Sequence, residues 1–224
     1  MSNMKNMNYN KLQALEANTA AIETAYQLRK EKRAARAAEH ETLSLYSGFG
    51  GIKEVLDLGT NASLSDKMKQ ALERLAGVLQ TIAQGDETLY KELVDSIKAS
   101  VLTAFYTPKF LIEAVANQIQ ATFQAHNLPM KSFLEPSAGI GGFLPVAMPD
   151  TYKVAFEKDL ATGLVFSALH PDTQTVIDGF ETIGAQDFEH STFDVIASNI
   201  PFGTINVFDA DFERRGTPYK QSLK

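Results

Sequence analysis

Apolar positions recur at helical spacing through the first 130 residues and give way to short strand-like runs after them. From Lys11 to about Glu41 the chain is Ala-rich and free of Pro and Gly, with Leu12, Leu15, Ile22 and Tyr26 in register. This predicts one long amphipathic helix. YSGFGGIKEVL breaks the pattern, with glycines at 48, 50 and 51. Met68, Leu72, Leu75, Leu79 and Ile82 then form one stripe behind Ser65, a suitable N-cap. A third helix is expected from Asp86 to Ser100, with Leu89, Leu93 and Ile97 inward. Thr107 and Pro108 read as the N-cap and first-turn proline of a fourth, whose predicted buried face is Phe110, Leu111, Ala114, Val115 and Ile119.

The period changes near Met130. KSFLEPSAG, YKVAFEKD, TQTVIDGF and FDVIASN each read as a strand running into a turn, and GFLPVAM and LATGLVFSALH read as short helices between them. Alternating strands and helices predict an α/β fold: a partial doubly wound, Rossmann-like parallel sheet preceded by a helical N-terminal region. The expected division is 1–104 helical and 105–224 sheet-bearing.

Composition narrows the chemistry. The chain has no cysteine, which excludes disulfides, thiolate metal sites and a cysteine nucleophile, and with it covalent cytosine-C5 methyl transfer. His40, His126, His170 and His190 are scattered, and no metal is expected. No run of about 18 apolar residues or signal-like N-terminus is present, so a cytoplasmic protein without membrane contact is expected. The net charge of −6 lies wholly in residues 131–224. The only basic run, Arg29 to Arg36, suits a solvated helix face, so no duplex-gripping stripe is evident.

EPSAGIGG, Glu135 to Gly142, lies between a strand and a helix-like segment, where glycines admit close backbone approach by a ligand. Glu157 ends the next strand, 18 residues after Gly139, where a carboxylate suits ribose hydroxyls. Leu144 stands where a dinucleotide fingerprint wants its third glycine, which disfavours a nicotinamide dehydrogenase. Glu135 suits a cationic amino acid better than a pyrophosphate. S-adenosylmethionine carries both an ammonium and a sulfonium. A tight turn without a ligand is the other reading of the same residues.

SNIPFG closes the fourth strand at the same sheet edge. The Asn199 amide carbonyl and the Ile200 backbone carbonyl are two acceptors able to hold an exocyclic amine and its developing charge. Pro201 biases Ile200 to extended geometry, Phe202 offers a stacking face for an extruded base, and Gly203 leaves room for the backbone. Asn and Pro also form ordinary turns.

Together these segments resemble the class I S-adenosylmethionine-dependent methyltransferases, and among them the gamma-order N6-adenine DNA methyltransferases. NIPF, Asn199 to Phe202, is similar to that family's Asn-Pro-Pro-Tyr/Phe. EPSAGIGGF is similar to its cofactor glycine motif, Glu157 in AFEKD to its ribose-binding acid, and FYTP, Phe105 to Pro108, to the segment that closes over the methionine moiety. YSGFGGIKEVL resembles the start of the methyltransferase region in large phage and mobile-element proteins that join a methyltransferase to a helicase, and by analogy it would lie near the cofactor pocket.

The resemblance implies methyl transfer to the exocyclic amine of adenine in DNA, with the base flipped into a site formed by Asn199, Ile200, Pro201 and Phe202. It implies S-adenosylmethionine held by Tyr106, Thr107, Pro108, Glu135, Pro136, Ser137, Ala138, Gly139, Gly141, Glu157, Asp178, Phe180 and Asn199. A restriction-modification, phage or mobile-element setting goes with it. Methyl transfer to RNA or to a protein glutamine, and a catalytically incomplete cofactor- or partner-binding module, stay open. Three departures stand out. Ile200 replaces a proline. Gly179 stands where the family places an Asp that reads the cofactor's adenine, so either Asp178 substitutes or the contact is absent. The chain continues only 21 residues past Gly203, so truncation after the fourth strand is expected, with the duplex-reading part elsewhere or on a partner.

Overall fold

The computed structural model describes residues 10–59, 64–103, 106–186, 188, 192–200, 205–206 and 222–223. The chain divides into two compact units, 1–104 and 105–224.

The first unit is helical. Helix α1 spans Lys11–Glu31, α2 Ala37–Ser44, α3 Asp66–Ala83 and α4 Glu87–Thr103. The single helix expected from Lys11 to Glu41 is therefore two. Lys32 turns left-handed at φ 52°, and Arg33 N–H reaches back to Leu28 C=O at 3.2 Å, which closes α1 without a glycine. Glu39 then accepts the Arg36 N–H at 2.8 Å and Arg33 Nη1 at 2.7 Å, and α2 starts afresh. The guanidinium holds the Glu39 carboxyl down at about 2. Helix α3 follows expectation: Ser65 caps it, and Leu72, Leu75, Leu79 and Ile82 are buried. Buried Asn18 of α1 ties down the glycine loop. Its Nδ2 donates to Gly48 C=O at 2.6 Å and its Oδ1 accepts the Ser47 N–H at 2.8 Å.

The second unit opens with α5, Lys109–Ala125. Pro108, not Thr107, is its N-cap residue. Its buried face also differs from the expected one. Ile112 and Ala116 are buried, while Phe110 (67% exposed), Leu111 and Val115 are exposed. The helix carries two apolar stripes, and the one holding Ala116 and Ile119 packs on Phe133 and Val146. Gln120 fixes that rotation by donating to Pro145 C=O at 2.9 Å.

Four parallel strands follow: β1 Ser132–Glu135, β2 Tyr152–Phe156, β3 Gln174–Val176 and β4 Val195–Ile196, in the order β3-β2-β1-β4. Helix α6, Leu160–Leu169, connects β2 to β3. The segment after β1 is not the expected helix. It is a 3-10 turn at Leu144–Val146 with Pro145 inside it and Pro149 close behind, which leaves no length of chain for an α-helix. Strand pairing puts Phe133, Glu135 and Ala155 on one face, and Leu134, Val154 and Phe156 on the other. The first face meets α5 and Phe166 of α6, and the second meets Ile183, Phe188 and Phe193. β5, Ile205–Asn206, and β6, Ser222–Leu223, form a separate antiparallel pair. The fold of this unit is α/β with a parallel sheet, compatible with a Rossmann-like architecture. No described helix is long and apolar enough to cross a membrane.

Candidate functional site

The sheet is built outward from β1 to β2 to β3, and β4 then returns to the other side of β1. The carboxyl ends of β1 and β4 therefore flank the reversal point, where open α/β sheets bind ligands. Glu135 ends β1, and Ser198 and Asn199 follow β4.

The glycine turn is tied to both neighbouring strand ends. Ala138 N–H donates to Phe156 C=O at 2.8 Å. Gly139 N–H donates to Glu157 Oε2 at 2.6 Å. Ser198 Oγ donates to Ser137 C=O at 3.2 Å. Gly139 and Gly141 have φ of 55° and 84°, and each also needs its missing Cβ. A Cβ on Gly139 would lie 2.8 Å from Tyr106 Cε1, so the Tyr106 ring rests on the turn from outside. A Cβ on Gly141 would meet His170 Nε2 at 2.7 Å, and that nitrogen contacts Ile140 C=O at 3.2 Å. The carbonyl can only accept, so Nε2 carries the proton.

Two carboxylates stand at this edge. Glu135 is 1% exposed; its Oε1 accepts the Phe143 N–H at 3.2 Å, and its Oε2 has no partner among the described residues. Burial pushes Glu135 up to about 8, against the pull of the Phe143 N–H and with a small push from Glu157. Glu157 is half-buried, and its Oε1 accepts the Asp159 N–H at 2.8 Å. Burial pushes it up to about 7. The Lys158 N–H bonds to the same carboxylate, so of its roughly four acceptor sites about one is left for an outside hydroxyl donor. The Tyr106 phenol is pushed up by burial and by the charges of Glu157 and Asp159.

The remaining predicted residues vary in placement. Thr107, Pro136 and Ser137 are half-buried and Pro108 is exposed, all on the segments that frame the turn. Asp178 is exposed, and its Oδ1 is turned onto the Gly179 N–H at 2.7 Å. Phe180 is 39% exposed and meets Phe156 edge-on, with centroids 5.4 Å apart. Asn199 is half-buried and Ile200 exposed. Pro201, Phe202 and Phe105 lie outside the described residues. Sequence reasoning missed His170, Phe143 and Glu181 at this edge. His170 and Phe143 act through one ring nitrogen and one backbone N–H, for which no motif exists. No cluster of metal-ligating side chains occurs among the described residues. A surface hollow of about 670 Å³ in the helical unit, lined by Leu58, Gly59, Glu87, Thr88, Tyr90, Lys91 and Val94, has neither a strand-end turn nor paired carboxylates.

The chain is 29% identical over 102 residues to Defense against restriction protein B of Escherichia phage P1, a match covering 46% of this chain and 4% of that protein. The chain thus matches only a small part of its relative's length. No family model matches the chain, and no solved structure does.

Proposed function

We propose that this chain carries the cofactor site of an S-adenosylmethionine-dependent methyltransferase acting on the exocyclic amine of adenine in DNA. The observation that carries the reading is the Gly139–Glu157 hydrogen bond of 2.6 Å, which joins the turn after β1 to the end of β2, next to the reversal point. It holds a carboxylate with an acceptor site to spare beside a turn that excludes side chains at positions 139 and 141. Glu157 suits a ribose hydroxyl and the exposed Phe180 ring suits the adenine face, while Glu135, buried and holding its proton in the free chain, would have to ionise to serve as counter-charge to an ammonium.

S-adenosylmethionine supplies a methyl group activated for transfer as bound sulfonium. The protein's part is positioning. Asn199, on the chain leaving β4, stands one residue after Ser198, which is anchored to the turn through Ser137. Its amide carbonyl would accept one N–H of the target amine, and the Ile200 carbonyl the other. Held by these two carbonyls, the amine nitrogen would present its lone pair toward the bound methyl donor, and the same carbonyls would stabilise the positive charge that develops on it. Phe202 would stack on the extruded base. The name of the phage P1 protein agrees with this reading, since methylating a base is one way to hide a site from a restriction nuclease.

The test is transfer of labelled methyl from S-adenosylmethionine to unmethylated duplex DNA, followed by digestion to nucleosides. N6-methyl-2′-deoxyadenosine formation that disappears in Asn199→Ala, with cofactor affinity retained, supports the proposal. Label on protein or RNA but not on DNA contradicts the substrate, and no label in any acceptor contradicts the activity.

A further inference from the structure

The basic run expected on one solvated helix face does not lie on one. Helix α1 ends inside it at Glu31 and α2 starts after it at Ala37, so Arg29, Lys30, Lys32, Arg33 and Arg36 gather at the elbow between the two helices. Arg33 is the structural member. Its guanidinium donates to Glu31 through Nε and to Glu39 through Nη2 and, at 2.7 Å, Nη1, which takes up both nearby carboxylates. Arg29, Lys30, Lys32 and Arg36 are exposed. Arg29 and Lys30 sit in the last turn of α1, where a cation complements the helix dipole. The other two stand where local structure favours other residues. Lys32 is left-handed at φ 52° and ψ 45°, a position that suits glycine. Arg36 is the N-cap of α2, a position that suits Ser, Thr, Asp or Asn. It has no side-chain acceptor to offer, and a positive charge is unfavourable beside that end of the helix dipole.

Resting on the reading of the chain as one that acts on DNA, we infer that this elbow is a contact surface for the phosphate backbone of a DNA duplex. Residues 131–224 carry the net charge of −6 and are unsuited to a polyanion. Among the described residues, Lys11, Arg74, Lys109, Lys153 and Lys158 each meet a carboxylate. At physiological ionic strength a charge acts over about 8 Å, so a phosphate answers to the local cluster and not to the net charge of the chain. Lys32 and Arg36 occupy positions that cost the helices stability, and their charges keep the elbow positive. The Arg33 bridge to Glu31 and Glu39 ties the end of α1 to α2, so less ordering is left to accompany binding. The residues beside the cations are Ala34, Ala35, Ala37 and Ala38, which offer no anchor of the kind that centres a protein interface. Phosphate binding needs charge alone, and it positions the duplex without reading its sequence.

The experiment is fluorescence anisotropy of a labelled DNA duplex titrated with the full chain between about 50 and 200 mM salt. Arg29→Gln, Lys30→Gln, Lys32→Gln and Arg36→Gln combined should lower affinity at least about tenfold at low salt, and flatten the log–log salt dependence by about 0.9 for each cation that meets a phosphate. Lys32→Gly separates charge from fold. It should raise the thermal midpoint, because glycine relieves the left-handed residue, and still flatten the salt dependence by about one. Lys67→Gln with Lys69→Gln, at exposed positions of α3, is the control and should leave affinity within about twofold of the wild type. Affinity and salt dependence unchanged in the fourfold variant overturn the assignment, as does an equal loss in the α3 control. Tighter binding of an RNA duplex of the same sequence overturns the choice of DNA, and no duplex binding by the wild type overturns the surface itself. S-adenosylmethionine binding by the same proteins is read separately, so this inference can fail while the methyltransferase reading stands.

Discussion

Glu135 gives the sharpest physical prediction. Its carboxyl is 1% exposed, has one oxygen without a partner, and is pushed from 4.5 to about 8 by burial. At 1.36 kcal/mol for each unit of pKa, the ionised form costs the folded state up to about 5 kcal/mol, residual solvation making this an upper bound. The sign follows from proton binding. The unfolded chain releases this proton near 4.5, and the folded chain keeps it until about 8. Between those values the folded state holds more protons, so its stability falls as pH rises and levels off above 8. Hydrogen exchange of the β1 and β2 amides, corrected for intrinsic rates and followed from pH 5 to about pH 8.5, reads the stability of this unit within the full chain. Glu135→Gln removes the titration. It should be less stable than the wild type at pH 5 by about 1–3 kcal/mol, because a buried amide N–H₂ lacks acceptors there. The two curves should cross between about pH 6 and pH 8, the wild type being the less stable above the crossing. Parallel pH curves for wild type and variant would refute a buried, proton-holding Glu135.

Three other substitutions probe the same framework and its neighbour. Glu157→Ala should weaken S-adenosylmethionine binding at least about tenfold, since it removes the ribose acceptor and frees the turn; unchanged affinity by calorimetry would sink the ribose assignment. Gly139→Ala should destabilise the turn by about 1–3 kcal/mol, because a Cβ strains the φ of 55° and meets Tyr106 at 2.8 Å; β1 hydrogen exchange as protected as in the wild type would contradict this. Asn18→Ala should destabilise the helical unit by about 1–3 kcal/mol, because Gly48 C=O and Ser47 N–H both lose their buried partner; chemical denaturation followed by circular dichroism measures it.

The sheet and its acidic strand ends were legible in the sequence because strand-turn punctuation and glycine placement are local signals. Gly139 and Glu157, 18 residues apart, are each read from the sequence as ligand-facing, and the structure adds a hydrogen bond between them that the sequence did not foretell. What was hidden depends on competition between local options. Lys32 closes α1 in a left-handed conformation that glycine usually signals, so no breaker marked the end of that helix. Two apolar stripes on α5 compete, and contact with Phe133 and Val146 selects the one holding Ala116 and Ile119 over Phe110, Leu111 and Val115. Pro145 and Pro149 outweighed the apolar character of GFLPVAM and left a 3-10 turn.

The account rests on the edge of the sheet holding S-adenosylmethionine, and calorimetric titration of the purified chain with that compound, with NAD as the control ligand, tests it most directly. Saturable binding of S-adenosylmethionine without binding of NAD is the predicted result. Absence of S-adenosylmethionine binding, or preferential binding of NAD, would contradict the account.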